Sequence, residues 1–137
     1  MTIREKQDAL VAGFSIIENA QERLSAIVAR GRKWPGIGDD ERTEGRLVKG
    51  CVSRVWLVGE AVDGVCRFRM SADSPLVQGL AAVVCEIYDG GAAGEIAAFE
   101  SDAIEALGLA PQLSPTRLNG LVNVQRTIRE FATAHSA

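Results

Sequence analysis

Two segments, Val52-Ser53-Arg54-Val55-Trp56-Leu57-Val58 and Cys66-Arg67-Phe68-Arg69-Met70, followed by Asp73-Ser74-Pro75, decide the fold. The first is rich in β-branched residues. The second alternates Cys66, Phe68 and Met70 with Arg67 and Arg69, the period of a strand with one buried face. Gly59, Asp63 and Gly64 lie between them, so the two segments read as an antiparallel hairpin. A polar cap and a proline at the first helical position then open a helix. Leu76, Leu80, Val83, Val84 and Ile87 line one face of it, while Val77, Ala81 and Tyr88 carry the apolar surface most of the way round. That pattern predicts a central buried helix, ended by Gly90 and Gly91.

Upstream of the hairpin, Leu10, Val11, Phe14 and Ile17 follow helical spacing. A second helix starts at Asn19, with Glu22 placed for a capping box, Leu24, Ile27 and Val28 as its stripe and Gly31 as its stop. An N-terminal helical hairpin is expected, then a loop over 32–45 and a short third strand over Arg46–Val48. Downstream, residues 92–110 read as short helices anchored by Ile96, Phe99, Ile104 and Leu107. Ser114-Pro115 opens a long helix with Leu121, Val124, Ile128 and Phe131 inward. Helices, a hairpin and more helices predict an α+β fold, a small antiparallel sheet packed by helices. The order is not βαβ, and Gly36 and Gly38 do not link a strand to a helix as a nucleotide loop would.

The 137 residues suit one domain over 1–137 with a single sizeable core. With aromatics at only 5%, that core must be largely aliphatic. A net charge of -3 argues against a nucleic-acid partner. The charged start Met1–Asp8 lacks the apolar run of a signal peptide, and nothing approaches the roughly 18 apolar residues of a membrane span. A cytoplasmic chain with reduced thiols is expected. The lone histidine, His135, sits near the C-terminus and cannot anchor a triad or a metal site.

Three cysteines remain. Cys66 lies on the apolar parity of its strand, and Cys85 sits on a helix apolar on most sides; both read as buried structural thiols. Cys51 follows Gly50 at the entrance to a strand, where a partner could reach it. Arg42, Arg46, Lys49 and Arg54 stand nearby against one acid, Glu44, which would favour the nucleophilic thiolate. The alternative is a small residue that merely fits a strand start. Arg117, in the first turn of the last helix, opposes the helix dipole by about 0.3–1 kcal/mol. Gly120 costs that helix about 1 kcal/mol more. Either a solvated arginine beside a tight packing contact or a functional site explains the pair.

Val48-Lys49-Gly50-Cys51-Val52-Ser53-Arg54-Val55-Trp56-Leu57 resembles the V-x-G-C-x-S-x-V-W-L signature of the SufE family. Leu113-Ser114-Pro115-Thr116-Arg117-Leu118-Asn119-Gly120-Leu121 is similar to its L-S-P-S-R-x-N-G-L motif. Leu76–Ala81 and Ile96–Phe99 fit its central and following helices. The resemblance runs from about residue 10 to 132. Three positions depart from the pattern: Val52 stands for a glutamine, Arg46 for an asparagine, and Ser71-Ala72-Asp73 for D-S-D.

The resemblance implies an IscU-like α+β fold and a sulfur acceptor rather than an enzyme in its own right. Cys51 would take persulfide sulfur from a pyridoxal-phosphate cysteine desulfurase of the SufS type, stimulate that enzyme, and deliver to a SufB-containing scaffold. Gly50, Ser53, Asp73 and Arg117 would form the persulfide environment or the partner contact. No cofactor or metal of its own is implied, and the chain would act as a monomer or weak dimer. A CsdE-like paralogue serving another desulfurase, a stand-alone thiol redox protein, and a structural or regulatory binding protein with all its cysteines buried are the competing readings. Cys51 is expected to rest partly covered and to swing outward on docking.

Overall fold

The computed structural model describes residues 1–136. Helices α1 (Ile3–Ser15) and α2 (Ala20–Gly31) lead into a loop with two 3-10 turns, Asp39–Glu41 and Glu44–Arg46. Strands β1 (Val55–Val62) and β2 (Val65–Ala72) follow, then α3 (Pro75–Tyr88), the short α4 (Ala93–Ala98) and α5 (Ala103–Ala106), and the long α6 (Pro115–Ala134). This is the α+β arrangement expected.

The hairpin is longer and tighter than its sequence suggests. β1 and β2 pair antiparallel from Val55↔Ala72 to Val62↔Val65. The turn is Asp63-Gly64 alone, both at positive φ (53° and 79°), the geometry whose twist matches paired strands. Gly59 therefore belongs to β1, and its lack of a side chain admits Phe131 of α6, whose ring meets Phe68 edge-on at 5.6 Å between centroids. At the other end β1 starts only at Val55. β2 stops at Ala72 to turn into α3, so Val52 has no strand opposite and is 82% exposed. The expected third strand shrinks to one bridge, Leu47↔Trp56, because Glu44–Arg46 winds into a 3-10 turn.

The free edge of β2 is covered rather than left to pair with another chain. The Trp34 indole N–H donates to the Phe68 carbonyl (3.1 Å), and Pro35 O accepts from the Met70 N–H (3.3 Å). Further along, Cys66 exchanges backbone bonds with Gly90 and Gly91 (2.7 and 3.0 Å).

α3 is the core helix, with Leu80 to Cys85, Ile87 and Tyr88 all buried. α2 crosses it at a glycine pair. A Cβ on Gly31 would run into the Gly79 carbonyl, and one on Gly79 would stand 2.6 Å from the Val28 Cα. Gly31 thus ends α2 by permitting this crossing, not by adopting a left-handed stop; the cap that follows, Arg32, is still helical. Asn19 caps α2 through the Glu22 N–H at 2.9 Å. α2 packs chiefly on α3, so the two N-terminal helices do not form a self-contained hairpin. Cys66 and Cys85 are fully buried, as read. Among the described residues no helix is long and apolar enough to cross a membrane.

Candidate functional site: a half-buried thiol on a glycine-hinged loop

Residues 51–54 form an irregular bridge between the Lys49-Gly50 turn and β1. Gly50 has φ +84°, a left-handed conformation that a side chain disfavours by about 1–2 kcal/mol. That turn sets Cys51 down on the first turns of α6. Its Sγ–H donates to the Gly120 carbonyl at 3.3 Å, and a Cβ on Gly120 would lie 3.6 Å from the sulfur. A methyl at Gly120 would thus touch the sulfur in ordinary contact, so the approach of α6 to the thiol does not depend on the missing side chain.

Beside the sulfur lies a hollow of about 170 Å³. Val52, Ser53, Val77, Thr116 and Arg117 line it with Cys51. Its far wall is the N-terminal end of α6, where Ser114 caps the helix by accepting from the Arg117 N–H at 3.2 Å. Of the residues singled out in the sequence, Cys51, Ser53 and Arg117 meet at this hollow, while Gly50 stands behind the thiol. Asp73 does not line it. Its carboxylate accepts from the Arg54 N–H (3.1 Å) and its own N–H donates to Arg54 O (3.1 Å), bracing the loop where it enters β1.

The expected activation of Cys51 by neighbouring cations is not present in this conformation. Arg42 lies over the Trp56 ring and Arg46 donates to the Glu41 carbonyl, so both are engaged elsewhere. Burial pushes the pKa of the Cys51 thiol up. A bond from S–H to a carbonyl also favours the protonated form. The resting thiol is therefore shielded rather than primed.

Cys66 and Cys85, both at 0% exposure and both with thiols pushed up by burial, are inert core residues. Cys51 alone of the three is partly open. Among the described residues no group of three or more His, Cys, Asp or Glu side chains gathers as a metal site.

The sequence reading missed Asn123, buried at 5% exposure on α6. Its Nδ2 donates to the Gly50 carbonyl (3.1 Å), and its Oδ1 accepts from Arg126 Nη1 (2.7 Å). The available signal was an amide set beside the apolar stripe of Leu121, Val124 and Ile128, where asparagine is a poor helix former.

Residues 8–132 match the SufE family, described as an Fe-S metabolism associated domain. The chain belongs to the SufE family. An uncharacterized SufE-like protein of Rhizobium etli is 32% identical over 135 residues, spanning 95% of this chain and 91% of the relative. One from Rhizobium meliloti is 32% identical over 130 residues, spanning 91% and 93%. In fold, this SufE-family chain is similar to a hypothetical protein from Thermus thermophilus solved in solution, with a TM-score of 0.78 over 95% of both chains at 17% identity.

Proposed function

We propose that this protein is a sulfur carrier. Cys51 accepts sulfur from the persulfide of a pyridoxal-phosphate cysteine desulfurase of the SufS type and passes it to a SufB-containing scaffold for iron–sulfur cluster assembly. The observation that carries the reading is the contrast among the thiols. In a SufE-family chain, one cysteine sits half-buried on a glycine-hinged loop beside a hollow, while the other two are sealed in the core.

The chemistry is an exchange between sulfurs. The Cys51 thiolate attacks the outer sulfur of the donor persulfide. A bond forms from Sγ to that sulfur, the donor's own sulfur–sulfur bond breaks, and the donor cysteine leaves as a thiolate. The products are a persulfide on Cys51 and a thiol on the donor, so no outside oxidant or reductant is consumed. Because the resting thiol is protonated and covered, attack requires the loop to leave Gly120 and the thiol to ionise. Docking of the desulfurase supplies that opening, and taking its sulfur clears the enzyme for another turnover. When the loop closes, the hollow shelters the added sulfur from oxidants. Arg117, exposed on the rim, supplies positive charge to the partner or to the persulfide.

Incubation with a cysteine desulfurase and cysteine, followed by intact mass and peptide mapping, tests the proposal. One added sulfur on the peptide bearing Cys51 is the expected result, abolished in Cys51→Ser. Sulfur on Cys66 or Cys85 instead would refute it. Comparing loading by a SufS-type desulfurase with loading by the desulfurase that CsdE-like acceptors serve identifies which of the paralogous enzymes this chain serves.

A further inference from the structure

We propose that Asn123 is a latch. Its amide, aimed by Arg126, holds the Gly50 carbonyl and so keeps the Cys51 loop closed against α6 until a partner releases it. This rests on the sulfur-carrier reading for its purpose, but not for its test.

An amide buried on a helix face costs free energy unless it is hydrogen-bonded. Asn123 meets that requirement through the Cys51 loop on one side and Arg126 on the other. The guanidinium of Arg126 can only donate, so the amide oxygen must face it. That leaves the Nδ2 hydrogens for Gly50 O. Gly50 completes the fit: a Cβ there would overlap the amide, with the Asn123 Cγ at 3.1 Å. The left-handed turn and the bare α-carbon are both what allow the amide to reach the backbone just before the cysteine.

Two successive turns of α6 thus hold the loop at adjacent points. Gly120 O holds the sulfur, and Asn123 holds the backbone behind it. The two bonds respond differently to chemistry. A thiol is a weak donor, and the Sγ–H bond disappears once Cys51 ionises or carries a second sulfur. The amide bond does not involve the sulfur and survives both events. Asn123 is therefore what keeps the loaded loop closed, and it acts on Cys51 by position, without touching the reacting atoms.

The test is alkylation of the full-length protein by iodoacetamide, with no desulfurase present, mapped by mass spectrometry. Cys66 and Cys85 serve as internal folding controls, since labelling there reports unfolding. In Asn123→Ala the loop opens more often, and Cys51 labelling accelerates about 3- to 10-fold, the population change that loss of one ordinary hydrogen bond produces. Its pH midpoint moves down towards the free-thiol range, which loss of packing elsewhere would not cause. Asn123→Asp keeps the shape and the Arg126 contact but turns a carboxylate oxygen on the Gly50 carbonyl, and it should accelerate labelling at least as much. Arg126→Met, at an exposed position, frees the amide to rotate and should raise the rate about 2- to 3-fold. Wild-type rates and pH midpoints in the folded variants overturn the latch; should both Asn123 variants fail to fold, an unchanged rate in Arg126→Met overturns it. Faster labelling with no sulfur loading leaves the latch standing and removes the carrier reading, and loading with unchanged labelling does the reverse.

Discussion

Replacing Gly79 by alanine sets two opposed effects against each other at the crossing of α2 and α3. Alanine is the better helix former by about 1 kcal/mol, which alone would stabilise α3. Against this, the new methyl would stand 2.6 Å from the Val28 Cα and 2.8 Å from the Val28 carbonyl oxygen, where unstrained carbon contacts need about 3.5–4.0 Å. Both are backbone atoms, which cannot swing aside as a side chain would, so the helices must separate by about 1 Å. α2 contributes Leu24 and Ile27 to the core, at 9% and 0% exposure. A gap of that size forfeits about a quarter to a half of each dispersion contact across the interface. Overpacking typically costs about 1–3 kcal/mol, and the absence of a side-chain escape puts this site at the upper end. After the propensity gain, the net loss should be about 2 kcal/mol. Urea unfolding should show a midpoint lower by roughly 1 M at an unchanged slope. Gly13→Ala in α1 isolates the favourable effect, since a Cβ there meets nothing within 4 Å, and it should gain about 1 kcal/mol. If Gly79→Ala stabilises the protein as Gly13→Ala does, the account of the crossing is refuted.

Gly120→Ala should raise the melting temperature by about 3 °C, because the helix gains propensity and the methyl meets Cys51 Sγ at an ordinary 3.6 Å. It should also slow Cys51 alkylation by covering the sulfur, and a less stable variant would contradict the geometry. Arg117→Ala should leave stability within about 0.5 kcal/mol, since the side chain is exposed. It should slow sulfur loading from a desulfurase about 2- to 5-fold, as measured in single-turnover assays, and equal loading rates would remove the residue from the interface. Burial raises the Cys51 pKa, so less thiolate exists at any given pH than in an open peptide. Native alkylation should therefore be slower at neutral pH and titrate at a higher midpoint than a peptide spanning 48–57. A native midpoint at or below the peptide's would show that the thiol is activated at rest.

Much of the chain was legible because its local signals agree with the fold. Period-two alternation over Cys66–Met70, the Ser74-Pro75 and Ser114-Pro115 helix starts, and the Asn19 cap all stand where the sequence puts them. The motif around Cys51 and the motif around Arg117 also meet in space, although 65 residues separate Cys51 from Thr116. The misreadings share one cause, which is that a residue type has more than one use. Gly59 reads as a turn but makes room in a strand for Phe131; Gly31 reads as a helix stop but serves a close crossing. Val52 is β-branched, yet nothing lies opposite for it to pair with.

Patterning and caps, which are short-range, determined the order of the elements, the hairpin, the buried central helix and which cysteine stands on a loop. The ionisation of that cysteine depended on what lies around it in three dimensions. A count of nearby arginines pointed to a thiolate, whereas burial and the Gly120 carbonyl hold a thiol. Asn123 likewise acquired its role only when α6 carried it to the Gly50 carbonyl, 73 residues away in the chain. Electrostatics and hydrogen bonding act through distance and burial, and those are properties of the packed molecule alone.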